Sequence, residues 1–178
     1  CEVDQPDAIA SGDPKGVKAA AVRKLGHELG IPAAELDASR FKFLTRVHYW
    51  AIDVGTYGPQ AVWGEHEIDH ILLYRLNAGE TLTVKPNPEE VEATRWLGSQ
   101  ELKEAMNGKA DMPLWSPWFR IINERLLDAW WKDLDAALQT DKYVDVASIH
   151  RFDTAPEFHG GLGNAKPVLD DVAKAEAA

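Results

Sequence analysis

The chain has 178 residues, 45% of them hydrophobic and 27% charged, which is the composition of a soluble globular protein long enough for one domain with its own core. Its net charge of -10 excludes a general nucleic-acid binder, which needs a basic face, but leaves room for a local basic pocket around a phosphorylated small molecule. No apolar run reaches the ~20 residues of a membrane span. A single cysteine, Cys1, rules out an internal disulfide framework and suits a reducing compartment. Seven tryptophans imply a large aromatic core, a stacking pocket or a partner surface. The chain opens on Cys rather than Met and shows no signal-peptide pattern. We therefore expect a processed product, a fragment or the ordered part of something longer, intracellular, in the cytosol or in an organelle such as a plastid or mitochondrion.

Residues 1–13 are acidic, carry Pro6 and Gly12, and read as a loop. Pro14 suits the first turn of a helix with Asp13 as its cap. That helix runs to Leu29, with Val17, Ala21, Val22, Leu25 and Leu29 as its apolar stripe. Gly30 suits its left-handed end, and Pro32 stops any continuation. Phe41 to Ile52 is aromatic and β-branched and predicts a strand. Simple alternation puts Phe41, Phe43, Thr45, Val47 and Tyr49 on one face, and Lys42, Leu44, Arg46, His48 and Trp50 on the other. Residues 53–62 form a Gly/Pro loop. A strand over 65–75 follows, then short β-prone stretches at 81–84 and 92–97. Ser99 caps a helix to Met106, and 108–113 is a loop. Ser116-Pro117 opens the longest helix, about 118–138, with Phe119, Ile122, Leu126, Trp130 and Leu134 on its apolar side. Residues 146–178 are mixed in character and read as an extension unlike a packed domain. This order predicts an α/β layered domain with a mixed sheet, in which adjacent antiparallel strands bring Tyr49 beside the 65–67 end.

The stretch Trp63-Gly64-Glu65-His66-Glu67-Ile68-Asp69 carries the chemistry. On a strand, Glu65 and Glu67 share a face with Cα atoms roughly 6.5–7 Å apart. Two carboxylates that close repel unless a cation or a shared proton lies between them. Ile68, Ile71, Leu72 and Leu73 anchor the strand. On spacing alone, two ordinary surface glutamates remain an open reading. Tyr49 then reads as a packed strand aromatic, Trp118 as a helix-start core residue and Glu28 as a surface glutamate. Alternation sets His48, His66 and His70 off the carboxylate face, so we do not read them as metal ligands. His159-Gly160-Gly161 looks like a phosphate loop, but no strand–turn–helix frames it.

Three ordered segments resemble type I isopentenyl-diphosphate isomerase, a branch of the Nudix superfamily. They are Gly16-Val17-Lys18-Ala19-Ala20 through Arg23-Lys24-Leu25-Gly26-His27-Glu28-Leu29-Gly30-Ile31-Pro32; Arg46-Val47-His48-Tyr49 with Trp63 to Asp69; and Ser116-Pro117-Trp118-Phe119 with Trp130-Trp131. The resemblance implies a Nudix-like α/β/α sandwich over 14–145, lacking the first sheet strands. It also implies a substrate pair, isopentenyl and dimethylallyl diphosphate. Glu65 and Glu67 would be ligands of a divalent metal (Zn²⁺, Mn²⁺ or Mg²⁺). Glu67 would also carry a proton, and Tyr49 would be its hydrogen-bond partner. Glu28 would hold a Mg²⁺ bridging to the diphosphate, and Trp118 would roof the isoprenoid carbon. Lys24, with Arg23 and Arg46, would offset diphosphate charge. The helix keeps only Glu28 of the glutamates that a Nudix hydrolase would carry, which argues against hydrolysis.

The family's catalytic thiol lies in a Cys-x-His-Pro motif ahead of the helix. Cys1 sits at about the right distance, but Val3 and Asp4 stand where His and Pro should be. Two readings follow. The chain is part of a working isomerase whose front half lies elsewhere, or it is a catalytically incomplete isomerase-like domain recruited as an accessory subunit of a larger complex.

Overall fold

A computed structural model of the chain describes residues 13–108 and 115–162. Cys1, most of the N-terminal loop, most of the 108–113 loop and the end of the tail lie outside these described residues.

Helix α1 spans Lys15–Leu29. It starts behind Pro14 with no side-chain cap, because the Asp13 carboxylate pairs instead with the Lys18 ammonium (2.5 Å). It ends at Gly30, in the left-handed region at φ 62°. A Cβ there would lie 2.2 Å from the Lys85 carbonyl oxygen, so both the angle and the close approach call for glycine. Strand β1 is Lys42–Ile52. A short helix α2, Val54–Tyr57, follows, with the Asp53 carboxylate accepting from the Thr56 amide. Strand β2 is Gly64–Leu73.

β1 and β2 pair antiparallel, with Tyr49 opposite Glu67 and Ala51 opposite Glu65. β1 is the central strand: the sheet order is β2-β1-β3, and β3, Ile149–Arg151, runs parallel to β1. Residues beyond 146 therefore contribute a strand to the sheet. Parallel pairing satisfies the open edge of β1, a long-range gain that local composition does not announce. Residues 81–84 and 92–97 form irregular chain, not the strands that β-propensity suggests.

The alternation expected along β1 fails at one point. The register shifts between Phe43 and Thr45, leaving Leu44 in a bulge. A single extra residue exchanges the faces on either side of it. Phe43 therefore joins the His48/Trp50 face, where its ring lies 6.2 Å from that of His70. Leu44 turns to the Tyr49 face and packs with Ile122, Trp130 and Ala137, together with Ile71 and Leu73.

The long C-terminal helix is in pieces. Helix α3, Ser99–Met106, comes first; its cap is Gly98, whose amide donates to the Glu101 carboxylate (2.8 Å). Then α4, Pro117–Ile122, runs into a π-helical segment, Asn123–Leu127, and on into α5, Asp128–Lys132. Asp133 breaks the chain before α6, Leu134–Gln139. Ile122, Leu126 and Trp130 nevertheless meet one cluster. Four-residue spacing drifts around a 3.6-residue helix, and the wider π turn takes up that drift.

α4 to α6 cover the Tyr49 face. The opposite face of β1 is covered near its end by Ala61, Val54 and Leu162, packed on Trp50 and Ile52. No helix among the described residues is long and apolar enough to cross a membrane.

Candidate active-site face

Tyr49, Glu65, Glu67 and Asp69 lie on one face of the β1/β2 ladder. Residues directly opposite share a face, and the register sets Asp69, Glu67 and Glu65 against Val47, Tyr49 and Ala51. The anchored strand is β1: Tyr49 is buried and packs with Ala51 and Ile121, flanked by Phe152 and Phe158. β2 is the edge partner, exposed from Gly64 to Ile68 and half-buried from Asp69 to Leu73. The acids thus stand at the open end of a strand whose other end is packed.

Register places Glu67 opposite Tyr49, but the hydroxyl is given elsewhere. Tyr49 Oη donates to Glu65 Oε2 at 2.7 Å. The family resemblance pairs the tyrosine with Glu67; it reaches diagonally to Glu65 instead, and diagonal neighbours are within range of a long side chain. Burial pushes the Tyr49 hydroxyl well above its ordinary pKa, and the hydrogen bond to Glu65 pushes it further. It is a held proton, not one that is released.

Asp69 is the residue that sequence reading passed over. It is the third member of the i, i+2, i+4 series on this face, and that period-two pattern was its signal. Burial, then the charges of Glu67 and Glu65, raise its pKa to about 6. A half-buried acid beside two others resists ionisation.

Trp118 lies at the start of α4, 38% exposed and edge-on to Phe119 at 5.9 Å. It sits one turn before Ile121, the residue that packs on Tyr49. The Ser116 hydroxyl accepts from the Phe119 amide (3.4 Å) and fixes the start of that turn.

The basic residues and Glu28 are placed differently. Lys24 and Glu28 pair with each other along the surface of α1 at 2.5 Å. Arg46 alternates with Val47 and so faces away from the carboxylates; its Nη2 donates to the Val146 carbonyl at 2.9 Å. No group of three or more His, Cys, Asp and Glu side chains among the described residues is arranged to hold a metal ion. Glu65 and Glu67 thus come together, and Glu28 is not gathered with them.

On the reverse face, His48 Nε2 and His66 Nε2 are 2.7 Å apart. His48 is 2% exposed. Burial lowers its basicity, and the neighbouring His66 and Arg151 charges lower it further, which favours the neutral ring. The strap after β3 closes this side: His159 stacks on Trp50 at 4.8 Å, and the Thr154 hydroxyl donates to the Trp50 carbonyl at 2.9 Å. Gly160, at φ 53°, would set a Cβ 2.3 Å from the Ala61 carbonyl oxygen. The His-Gly-Gly stretch is a packing device.

The NUDIX domain pattern matches residues 12–119. The isopentenyl-diphosphate Delta-isomerase 1 of Mesocricetus auratus is 37% identical over 153 residues, covering 84% of this chain and 60% of that protein. The isopentenyl-diphosphate delta-isomerase of Schizosaccharomyces pombe is 41% identical over 146 residues, covering 82% of this chain and 55% of that protein. That of Dictyostelium discoideum is 38% identical over 125 residues, covering 68% and 48%. The chain thus spans about half to three-fifths of the length of the curated relatives it matches. It belongs to the Nudix family, and the relatives it matches over most of its own length are isopentenyl-diphosphate isomerases.

Proposed function

We propose that this chain serves the conversion of isopentenyl diphosphate to dimethylallyl diphosphate, with Glu67 moving the proton. The observation that supports this most directly is the exposed Glu65–Glu67 pair on an edge strand whose neighbour, Tyr49, is fixed in the core. The reaction adds a proton at the terminal methylene carbon, passes through a tertiary cation and removes a proton from the neighbouring carbon, so no net proton is gained. A carboxylate suits both halves when its pKa is tuned by its surroundings. Tyr49 holds Glu65 in place, which leaves Glu67 as the acid of the pair that no hydroxyl ties. Asp69 stands behind it, its own protonated form favoured by burial and by the charges of Glu67 and Glu65. Trp118, one turn from the Tyr49 contact, offers an aromatic face to the cation, worth roughly 0.5–2 kcal/mol.

The donor set fits an oxygen-loving divalent ion. Mg²⁺ takes one or two protein carboxylates and completes its shell with water and substrate phosphate, which is what Glu65 and Glu67 can supply. Glu65 and Glu67 would hold such an ion, and the chemistry it would supply is an offset to the diphosphate charge. Glu28, whose Oε1 pairs with Lys24, would still have its second oxygen to offer a Mg²⁺.

The test is turnover of isopentenyl diphosphate in the presence of Mg²⁺, with Glu67→Gln alongside. A loss of at least ~10²-fold is expected for a positioned general acid–base, and activity that survives the substitution would sink the assignment. Mn²⁺ titration by electron paramagnetic resonance provides a readout independent of turnover. Glu65→Gln with Glu67→Gln should remove the bound Mn²⁺ signal.

A second reading, an isomerase-like domain recruited as an accessory subunit of a larger assembly, is supported by Trp63 and Trp96, which are 73% and 78% exposed. Large exposed aromatics suit partner contacts. Absence of turnover, with the chain migrating in a large particle, would favour it.

A further inference from the structure

We infer that the His48–His66 pair is a positioning device for the acid strand: it clips the back of β2 to β1 while Tyr49 clips the front. The inference rests on the proposal that Glu67 is the working acid. Residues 64–68 form an edge segment exposed on both faces. Backbone pairing reaches them from β1 alone among the described strands. Such a segment frays easily, because little apolar burial holds it. Two side-chain hydrogen bonds add to the ladder there. Tyr49 Oη to Glu65 lies on one face, and His48 Nε2 to His66 Nε2 lies on the other, both at 2.7 Å. Glu65 and His66 are the two residues immediately before Glu67, so the clips hold the strand from opposite sides just ahead of the acid.

The geometry suits holding better than packing. His48 is buried and its Nδ1 has no hydrogen-bond partner among the described residues, so a purely apolar side chain would fit that position with less desolvation. His66 is exposed, so it gains little from burial; what it gains is the bond. Both anchors, His48 and Tyr49, are consecutive residues of the strand buried on both faces. The more rigid member of the ladder thereby restrains the exposed one.

His66 is the residue to change, since an exposed position can be altered without opening the core. Hydrogen exchange of the chain should show amides in 64–68 opening roughly five- to tenfold faster in His66→Ala, the scale of one lost hydrogen bond, with those near Val47 unchanged. In the turnover assay kcat should fall by a similar factor with KM unmoved, because the acid and not the diphosphate contacts is displaced. His66→Gln, whose amide can still bond to His48 Nε2, should restore both readouts. Unaltered exchange in His66→Ala would overturn the clip. Faster exchange with unaltered kcat would overturn its role in positioning, as would a Gln variant that restores neither. A parent chain with no turnover would strike at the isomerase reading itself, and exchange would then decide the clip separately.

Discussion

β1 and β2 are neighbours along their whole length, yet they are opposite kinds of strand. β1 is buried on both faces, with Phe43, Leu44, Tyr49 and Trp50 among the most enclosed side chains of the described chain. β2 is open from Gly64 to Ile68, and Ile68 itself is 46% exposed. The carboxylates sit on the open strand, and the groups that orient them, Tyr49 and His48, sit on the closed one. An ionised carboxylate loses solvation when buried, whereas a tyrosine ring gains by it. The ladder lets each side chain have the environment it needs while keeping the two within hydrogen-bond reach.

That contrast can be broken first on the closed strand. Trp50→Ala removes a buried ring beneath His159 and should cost about 3–5 kcal/mol in urea denaturation, the range of large-to-small core changes. Glu67→Gln, on the open strand, should behave in the opposite sense. Its unfolding midpoint should stay within about 0.5 kcal/mol of the parent, as for surface changes, whatever it does to turnover.

Asp69 lies where β2 passes from open to packed, and it sharpens the comparison through pH. Its pKa in the folded chain, about 6, is above the ordinary 3.8. The folded state therefore binds the proton more tightly than the unfolded one. Its contribution to stability is fully present below pH ~4 and is lost as pH rises through about 6. Asp69→Asn should remove that pH dependence and stabilise the chain at pH 7 by up to roughly 2 kcal/mol, read from denaturation at pH 4.5 and pH 7. A smaller effect than that of Asp69→Asn is expected at the clip itself. Tyr49→Phe keeps the ring in place and loses one hydrogen bond to an exposed carboxylate, about 1 kcal/mol or less. A penalty several times larger would mean that Glu65 is held far more tightly than its exposure suggests.

Much of the site was readable from residue order. The alternation of Glu65, Glu67 and Asp69 on one face needs only an extended backbone, and the antiparallel approach of Tyr49 needs only two consecutive strands. Which carboxylate receives the tyrosine hydroxyl could not be read, because direct and diagonal partners differ by side-chain reach and not by register. The exchange of Phe43 and Leu44 between faces was equally hidden. A bulge is a property of two paired strands, and the β1 sequence alternates smoothly through it.

By itself the sequence determined the local elements and the family: α1 from its apolar spacing and Gly30, β1 and β2 from their β-branched and aromatic runs, and the Nudix branch from its motifs. Tertiary structure decided everything that depends on a distant partner. It made Ile149–Arg151 a strand against β1, folded the His159–Leu162 strap onto Trp50 and Ala61, and brought His48 to His66. Propensity and periodicity act over a few residues, whereas these contacts join segments up to about a hundred residues apart, where burial and hydrogen bonding outweigh local preference.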